Sequence, residues 1–130
     1  MSLEEDALES LRRICLELPE TAETVTFGNP TFRAGKRTFA VLEWYHGELC
    51  IAVKSSLIEQ EMLLQDPQFF RTPYVGHRGW VSLRVTEATD WNLVKDLVLD
   101  SYRRVANKRM LARVDEAGGD PPLGGGPRDS

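Results

Sequence analysis

The sequence predicts an α+β domain, an antiparallel sheet with helices packed on one face, in the order helix, three strands, helix, one or two strands, helix. Three observations predict it. Two capping boxes and an aspartate cap each open a run of apolar residues at helical spacing. Between these runs lie short stretches of β-branched and aromatic residues with alternating polarity. Glycine-bearing turns join those stretches at hairpin distances.

Ser2 followed by Glu5 is the first capping box, and Leu3, Ala7, Leu11, Ile14, Cys15 and Leu18 then recur at helical spacing until Pro19. An acidic loop follows. Thr24-Val25-Thr26-Phe27 and Thr31-Phe32-Arg33 are strand-like, and Ala34-Gly35-Lys36 turns the chain into residues 37–43. Tyr45-His46-Gly47 turns it again into residues 48–54, where Leu49, Ile51 and Val53 alternate and so share one face of a pleat. Ser56 with Glu59 opens a short helix through Ile58, Met62 and Leu63. It stops before Asp66-Pro67, because a proline pushes the preceding residue out of the helical region. A strand over residues 80–85 directs Val81, Leu83 and Val85 to the core and Trp80, Ser82 and Arg84 to a wetter face. Asp90 caps the last helix, whose apolar stripe of Trp91, Val94, Leu97, Val98, Ser101, Tyr102 and Val105 runs to about Met110. Residues 1–113 form one domain. Residues 114–130, rich in glycine and proline, read as a disordered tail because they hold too little apolar surface for a core.

A chain of 130 residues, 42% apolar and 28% charged, has the composition of one ordinary globular domain. Its acidic opening lacks the basic and apolar regions of a signal peptide, and its longest apolar runs are too short to cross a bilayer, so the expected location is the cytoplasm. Cys15 and Cys50 lie far apart without ligand spacing and read as small core residues. A net charge of -4 argues against indiscriminate nucleic-acid binding, yet the charge is unevenly placed. Residues 24–42 hold Arg33, Lys36 and Arg37 and no acid. Residues 67–86 hold Arg71, Arg78 and Arg84 and no acid. Residues 101–113 hold Arg103, Arg104, Lys108, Arg109 and Arg113 and again no acid. Converging, these runs would make a basic patch. The last run also has a local explanation, since cations near a helix C-terminus gain roughly 0.3 to 1 kcal/mol each from the dipole.

Catalytic chemistry finds little support. His46-Gly47-Glu48 begins an H-x-E zinc signature whose P-C-x-x-C half is missing, so no metal is expected. Gly76-His77-Arg78-Gly79 is a GxxG sequence, but it leads into a strand, whereas the nucleic-acid-clamping loop of a KH domain joins two helices. His77 could act as a base, but residues 67–86 offer no carboxylate to orient it. No cofactor motif is present, and the protein reads as a non-enzyme. Tyr74 and Trp80 beside Arg71 and Arg78 suit stacking on exposed bases, and equally suit burial, which the size of their apolar surfaces favours.

The segments "FGNPTFRAGKRTFAVL" (27–42), "LCIAVK" (49–54), "TPYVGHRGWVSL" (72–83) and "LVLDSYRRVANK" (97–108) occur in an order that resembles the MmcQ/YjbR family. The motif residues are Phe27, Gly28, Pro30, Phe32, Pro73, Tyr74, Gly76, Arg78, Gly79 and Trp80. The resemblance implies a compact sheet similar to the frataxin and secretion-chaperone types, and a DNA-binding role through wing-like hairpins. The acidic balance of this chain departs from such a role. The resulting expectation is a cofactor-free DNA-binding module with Arg33, Lys36 and Arg37 on one hairpin and Arg71, Tyr74, His77, Arg78 and Trp80 on the next. Phosphate contacts would position the hairpins. The alternative is a protein-interaction or chaperone-like module that receives a protein segment on an exposed sheet face. Neither a membrane nor a metal is an expected partner.

Overall fold

The capping box at Ser2 forms as written. Glu5 N donates to Ser2 Oγ at 3.1 Å, Ser2 N donates to Glu5 Oε1 at 3.0 Å, and α1 (Leu3–Cys15) follows. The computed structural model describes residues 2–118. After α1 come β1 (Thr21–Thr26), β2 (Asn29–Ala34), β3 (Arg37–Tyr45), β4 (Glu48–Lys54), α2 (Leu57–Leu63), β5 (Phe69–Arg71), a 3-10 turn (Gly76–Arg78), β6 (Trp80–Arg84), α3 (Trp91–Val105) and α4 (Lys108–Gly118).

The six strands form one antiparallel sheet in the order β1-β2-β3-β4-β6-β5. Alternation places Phe32, Ala40, Leu42, Ile51, Val53, Val81 and Leu83 on one face, where Ala7, Leu11 and Cys15 of α1 and Val94, Val98 and Tyr102 of α3 cover them. Two polar contacts fix α3 on this face. Ser101 Oγ donates to Phe39 O at 2.7 Å and accepts from Lys54 N at 2.9 Å, while Tyr102 OH donates to Pro19 O at 2.7 Å. These bonds satisfy groups that burial would otherwise leave unpaired. Phe39 is the extra residue of a bulge between the pairs Phe32–Ala40 and Arg33–Thr38, and its ring meets Tyr102 edge-on at 5.4 Å.

Three boundaries differ from the sequence reading. Four strands precede α2 where the expected order has three, because residues 21–26 and 29–34 pair as two separate strands; β1 also begins at Thr21, inside the expected acidic loop, where Arg12 of α1 reaches Glu23 through bonds of 2.6 and 2.9 Å. The last helix breaks at Ala106, whose backbone is extended, and the Asn107 side chain opens α4 by accepting from Met110 N at 2.9 Å. Helix α4 returns Met110 and Val114 to the core, so the expected boundary at 113 falls inside a helix, and residues 119–130 lie outside the described residues. Among the described residues, no helix is long and apolar enough to cross a membrane.

Candidate functional site

The sheet face turned away from α1 and α3 carries a cleft of about 660 Å³. Its floor is the cross-strand row Thr31, Val41 and Ala52, from β2, β3 and β4. Phe27, in the β1–β2 turn at one edge of the sheet, lines one side; Pro73, Tyr74 and Val75, in the loop after β5 at the other edge, line the opposite side. Thr26, Asn29 and Glu43 lie toward the Phe27 end, while Arg37, Thr38, Lys54, Arg78 and Trp80 lie at the other. Six strand positions separate Arg37 from Glu43, about 20 Å at roughly 3.3 Å per residue.

Both rim aromatics stand on left-handed backbone, Phe27 at φ 53° and Tyr74 at φ 69°. For a bulky side chain this is a conformational outlier, with a cost on the order of 1 kcal/mol or more. Burial does not offset it, because Phe27 is 98% exposed and Tyr74 95%. Phe27 and Gly28 (φ 80°) together form the kind of two-residue hairpin turn that favours Asn-Gly, with Phe in the place of Asn. The expected packing of Tyr74 is therefore not found. Its loop is instead clamped from below, which holds the ring in solvent. Thr72 and Ser82 hydroxyls lie 2.9 Å apart, and Gln60 Nε2 donates to the carbonyls of Gly76 and Trp80, each at 2.8 Å. Gly79 O accepts from Ser55 Oγ at 2.7 Å and Ser55 N at 2.9 Å. Gly79 has φ 96°, and a Cβ there would run into Ser55 O, so only glycine closes this loop.

The cations of the cleft differ from those elsewhere. Arg37, Lys54 and Arg78 line it without a carboxylate partner among the described residues; Lys54 Nζ donates only to Arg78 O, at 3.3 Å. By contrast Arg71 pairs with Glu61 at 2.7 Å, Arg84 with Glu48 at 2.9 Å, Arg103 with Asp115 at 3.5 Å, and Arg109 and Arg113 with Glu20 at 2.6 and 3.2 Å. Arg104, at the cleft margin, is held by Asp100 and Glu59. The three acid-free runs therefore do not merge into one basic patch. Of the expected site residues, Arg37, Tyr74, Arg78 and half-buried Trp80 come together. Arg33 instead reaches the hydroxyls of Thr24 and Thr26 and the carbonyl of Lys36, bracing its hairpin. Lys36 and His77 are exposed outside the cleft lining, and Arg71 is spent on Glu61 of α2.

Phe27, Lys54 and Glu43 are the functional candidates that sequence reading missed. Strand parity held the signal for two of them, since Lys54 and Glu43 follow core-facing Val53 and Leu42 and so face the other way. No donor among the described residues reaches the Glu43 carboxylate, and burial pushes its pKa above the ordinary carboxylate value. Arg84 lies two strands away across Cys50 and gives its guanidinium to Glu48 and the carbonyl of Pro67. The Cys50 thiol beneath is pushed up to about 11, by desolvation before the nearby acids, and stays protonated at neutral pH. His46 stacks on Tyr45 at 4.1 Å while Glu48 serves Arg84, and among the described residues no three His, Cys, Asp or Glu side chains are grouped to hold a metal.

A family model described as YjbR matches residues 16–104, a span that contains all six strands and every cleft-lining residue except Val105. No curated protein matches the chain. The crystal structure of protein DR2400 from Deinococcus radiodurans, with a DUF419 domain, is similar in fold, with a TM-score of 0.68 and 23% identity over 88% of this chain and 88% of that one.

Proposed function

The chain belongs to the YjbR family, and we propose that it binds single-stranded DNA in the cleft on its open sheet face without catalysing a reaction on it. One observation carries the reading. Two nearly fully exposed aromatics on strained backbone rim a cleft in which three of the four lining cations lack acid partners among the described residues, in a chain whose arginines away from the cleft are mostly paired. A fold keeps such aromatics in water at a stability cost when a ligand covers them. Stacked bases supply that cover at roughly 1 to 3 kcal/mol each, and phosphates supply partners for Arg37, Lys54 and Arg78. A duplex fits poorly, because its base faces are already stacked on one another and only their edges are free.

The test is fluorescence anisotropy of a labelled oligothymidine of about twelve nucleotides. Binding at low ionic strength should weaken with salt along a log-log slope near −2, from about 0.7 per phosphate contact over three contacts. A duplex of the same length should bind at least tenfold more weakly. Absence of single-strand binding at low salt would sink the proposal. A second reading, capture of an extended protein segment, is favoured by the free outer edge of β1, where Val25 is 72% exposed. Such capture would survive the loss of Arg37 and Arg78.

A further inference from the structure

Glu43 is out of place in a site for an anionic strand. Among the described residues it is the one acid lining the cleft, half-buried and desolvated, and no donor among them reaches it. A bare carboxylate there repels phosphates and lacks the partner that burial of a charge requires. Its position removes part of the conflict, because the cations that would hold phosphates lie toward the far end: Arg37 is six positions away along β3, and Lys54 is four positions along β4 from Cys50, the cross-strand neighbour of Glu43, or about 13 Å at roughly 3.3 Å per residue. The near end holds Phe27, Thr26 and Asn29, which are an aromatic face and neutral polar groups.

Resting on the reading of the cleft as a single-strand site, we infer that this end is a base-recognition pocket in which Phe27 stacks a guanine and Glu43 accepts its two Watson–Crick donors. An ionised carboxylate is an acceptor only, with two oxygens side by side. Guanine alone among the DNA bases sets two donors beside each other, N1–H and an N2–H, and can bond both oxygens at once. Cytosine and adenine offer an amino group next to a ring nitrogen whose lone pair faces the second oxygen. Thymine sets its single N3–H between two carbonyls that repel the carboxylate. Desolvation strengthens the discrimination, since water competes poorly for the carboxylate and a mismatched base leaves it unpaired.

The experiment compares the labelled oligothymidine with versions in which one central thymine is replaced by guanine, cytosine or adenine, for the wild-type chain and for Glu43→Gln. The guanine oligomer should bind about tenfold tighter than oligothymidine, as expected for a bidentate base contact. Glu43→Gln should erase that preference and bind oligothymidine more tightly than the wild type does. Equal binding of the four oligomers, or a guanine preference that persists in Glu43→Gln, overturns the inference while leaving the cleft reading intact. No binding of any oligomer removes both. Glutamine keeps the size and polarity of the side chain, so an unchanged melting curve will separate lost recognition from lost structure.

Discussion

Arg37 and Arg78 and the group Arg103, Arg104, Arg109 and Arg113 come from runs that look alike in sequence, basic and free of acids, yet their fates differ. Each arginine of the second group finds an acid. Glu20 serves Arg109 and Arg113 from a left-handed backbone (φ 58°), its carboxyl held below the ordinary range by the Arg109 hydrogen bond first. Asp115 serves Arg103, and Asp100 with Glu59 serves Arg104. Arg37 and Arg78 have no such partner among the described residues. An acid-free run therefore reports only that no acid is near in sequence. Whether its charge stays available is decided by the elements packed beside it. Exposed ion pairs of this kind stabilise little. Their larger effect is to cancel the field of the C-terminal helices, which leaves the cleft with the unpaired cations.

The strongest way to break the contrast is to collapse the loop that carries Arg78 and Tyr74. Gly79→Ala places a methyl against Ser55 O on a backbone of φ 96°, so a loss of about 3 kcal/mol or more is expected in urea denaturation, together with loss of oligomer binding. A wild-type midpoint would mean that the loop is not clamped as described. Removing the free charges while keeping the fold is the next test. Arg37→Ala with Arg78→Ala should weaken single-strand binding at least tenfold and flatten the salt slope by about 1.4, whereas Arg109→Ala with Arg113→Ala should leave both unchanged. If the second pair matters as much as the first, binding is governed by overall charge and the contrast fails. Phe27→Asn separates stability from function. Asparagine tolerates the left-handed turn, so thermal stability should rise by up to about 1 kcal/mol, while loss of a stacking face should cost binding roughly 1 to 3 kcal/mol.

Most of the fold was legible because its signals are local. The caps at Ser2, Ser56 and Asp90 and the alternation in β4 and β6 appear where the residues place them. What escaped was set by distant partners. Strand β1 starts at Thr21 because residues 21–26 pair along the whole of β2, with Thr21 opposite Ala34, and the helix break at Ala106 depends on Asn107 acting as a cap within an apparently continuous stripe. At the site, the size of Tyr74 and Trp80 predicts burial for both, but only Trp80 is partly covered. The exposure of Tyr74 follows from a backbone fixed by Gln60, Ser55 and Ser82, which hold the loop at Gly76, Gly79 and Thr72 from other elements. Arg71 and Arg78 could not be told apart in sequence, since Glu61 of α2 neutralises one and leaves the other.

Two carboxylates with opposite shifts sharpen the contrast further by pH, with the smallest effect. Glu43 has its pKa raised by burial, so the folded chain takes up its proton at a higher pH than the unfolded chain. Stability therefore improves as pH falls from neutral through the folded value of Glu43, and the gain is complete below the ordinary carboxylate range. Glu20, lowered by Arg109, behaves in reverse: its contribution is present above the ordinary range and is lost as pH falls through its lower folded value. Urea melts between pH 7 and 5 should show wild type gaining on Glu43→Gln in the upper window, with the variant as a control for every other group titrating there. Oligomer binding carries a second sign. As Glu43 takes up its proton, oligothymidine should bind more tightly because a negative charge has left the cleft. Guanine preference should fade at the same time, because the carboxyl then offers a donor where guanine also offers one. If wild type and Glu43→Gln show parallel pH profiles in both measurements, Glu43 is an ordinary solvated acid and takes no part in recognising the strand.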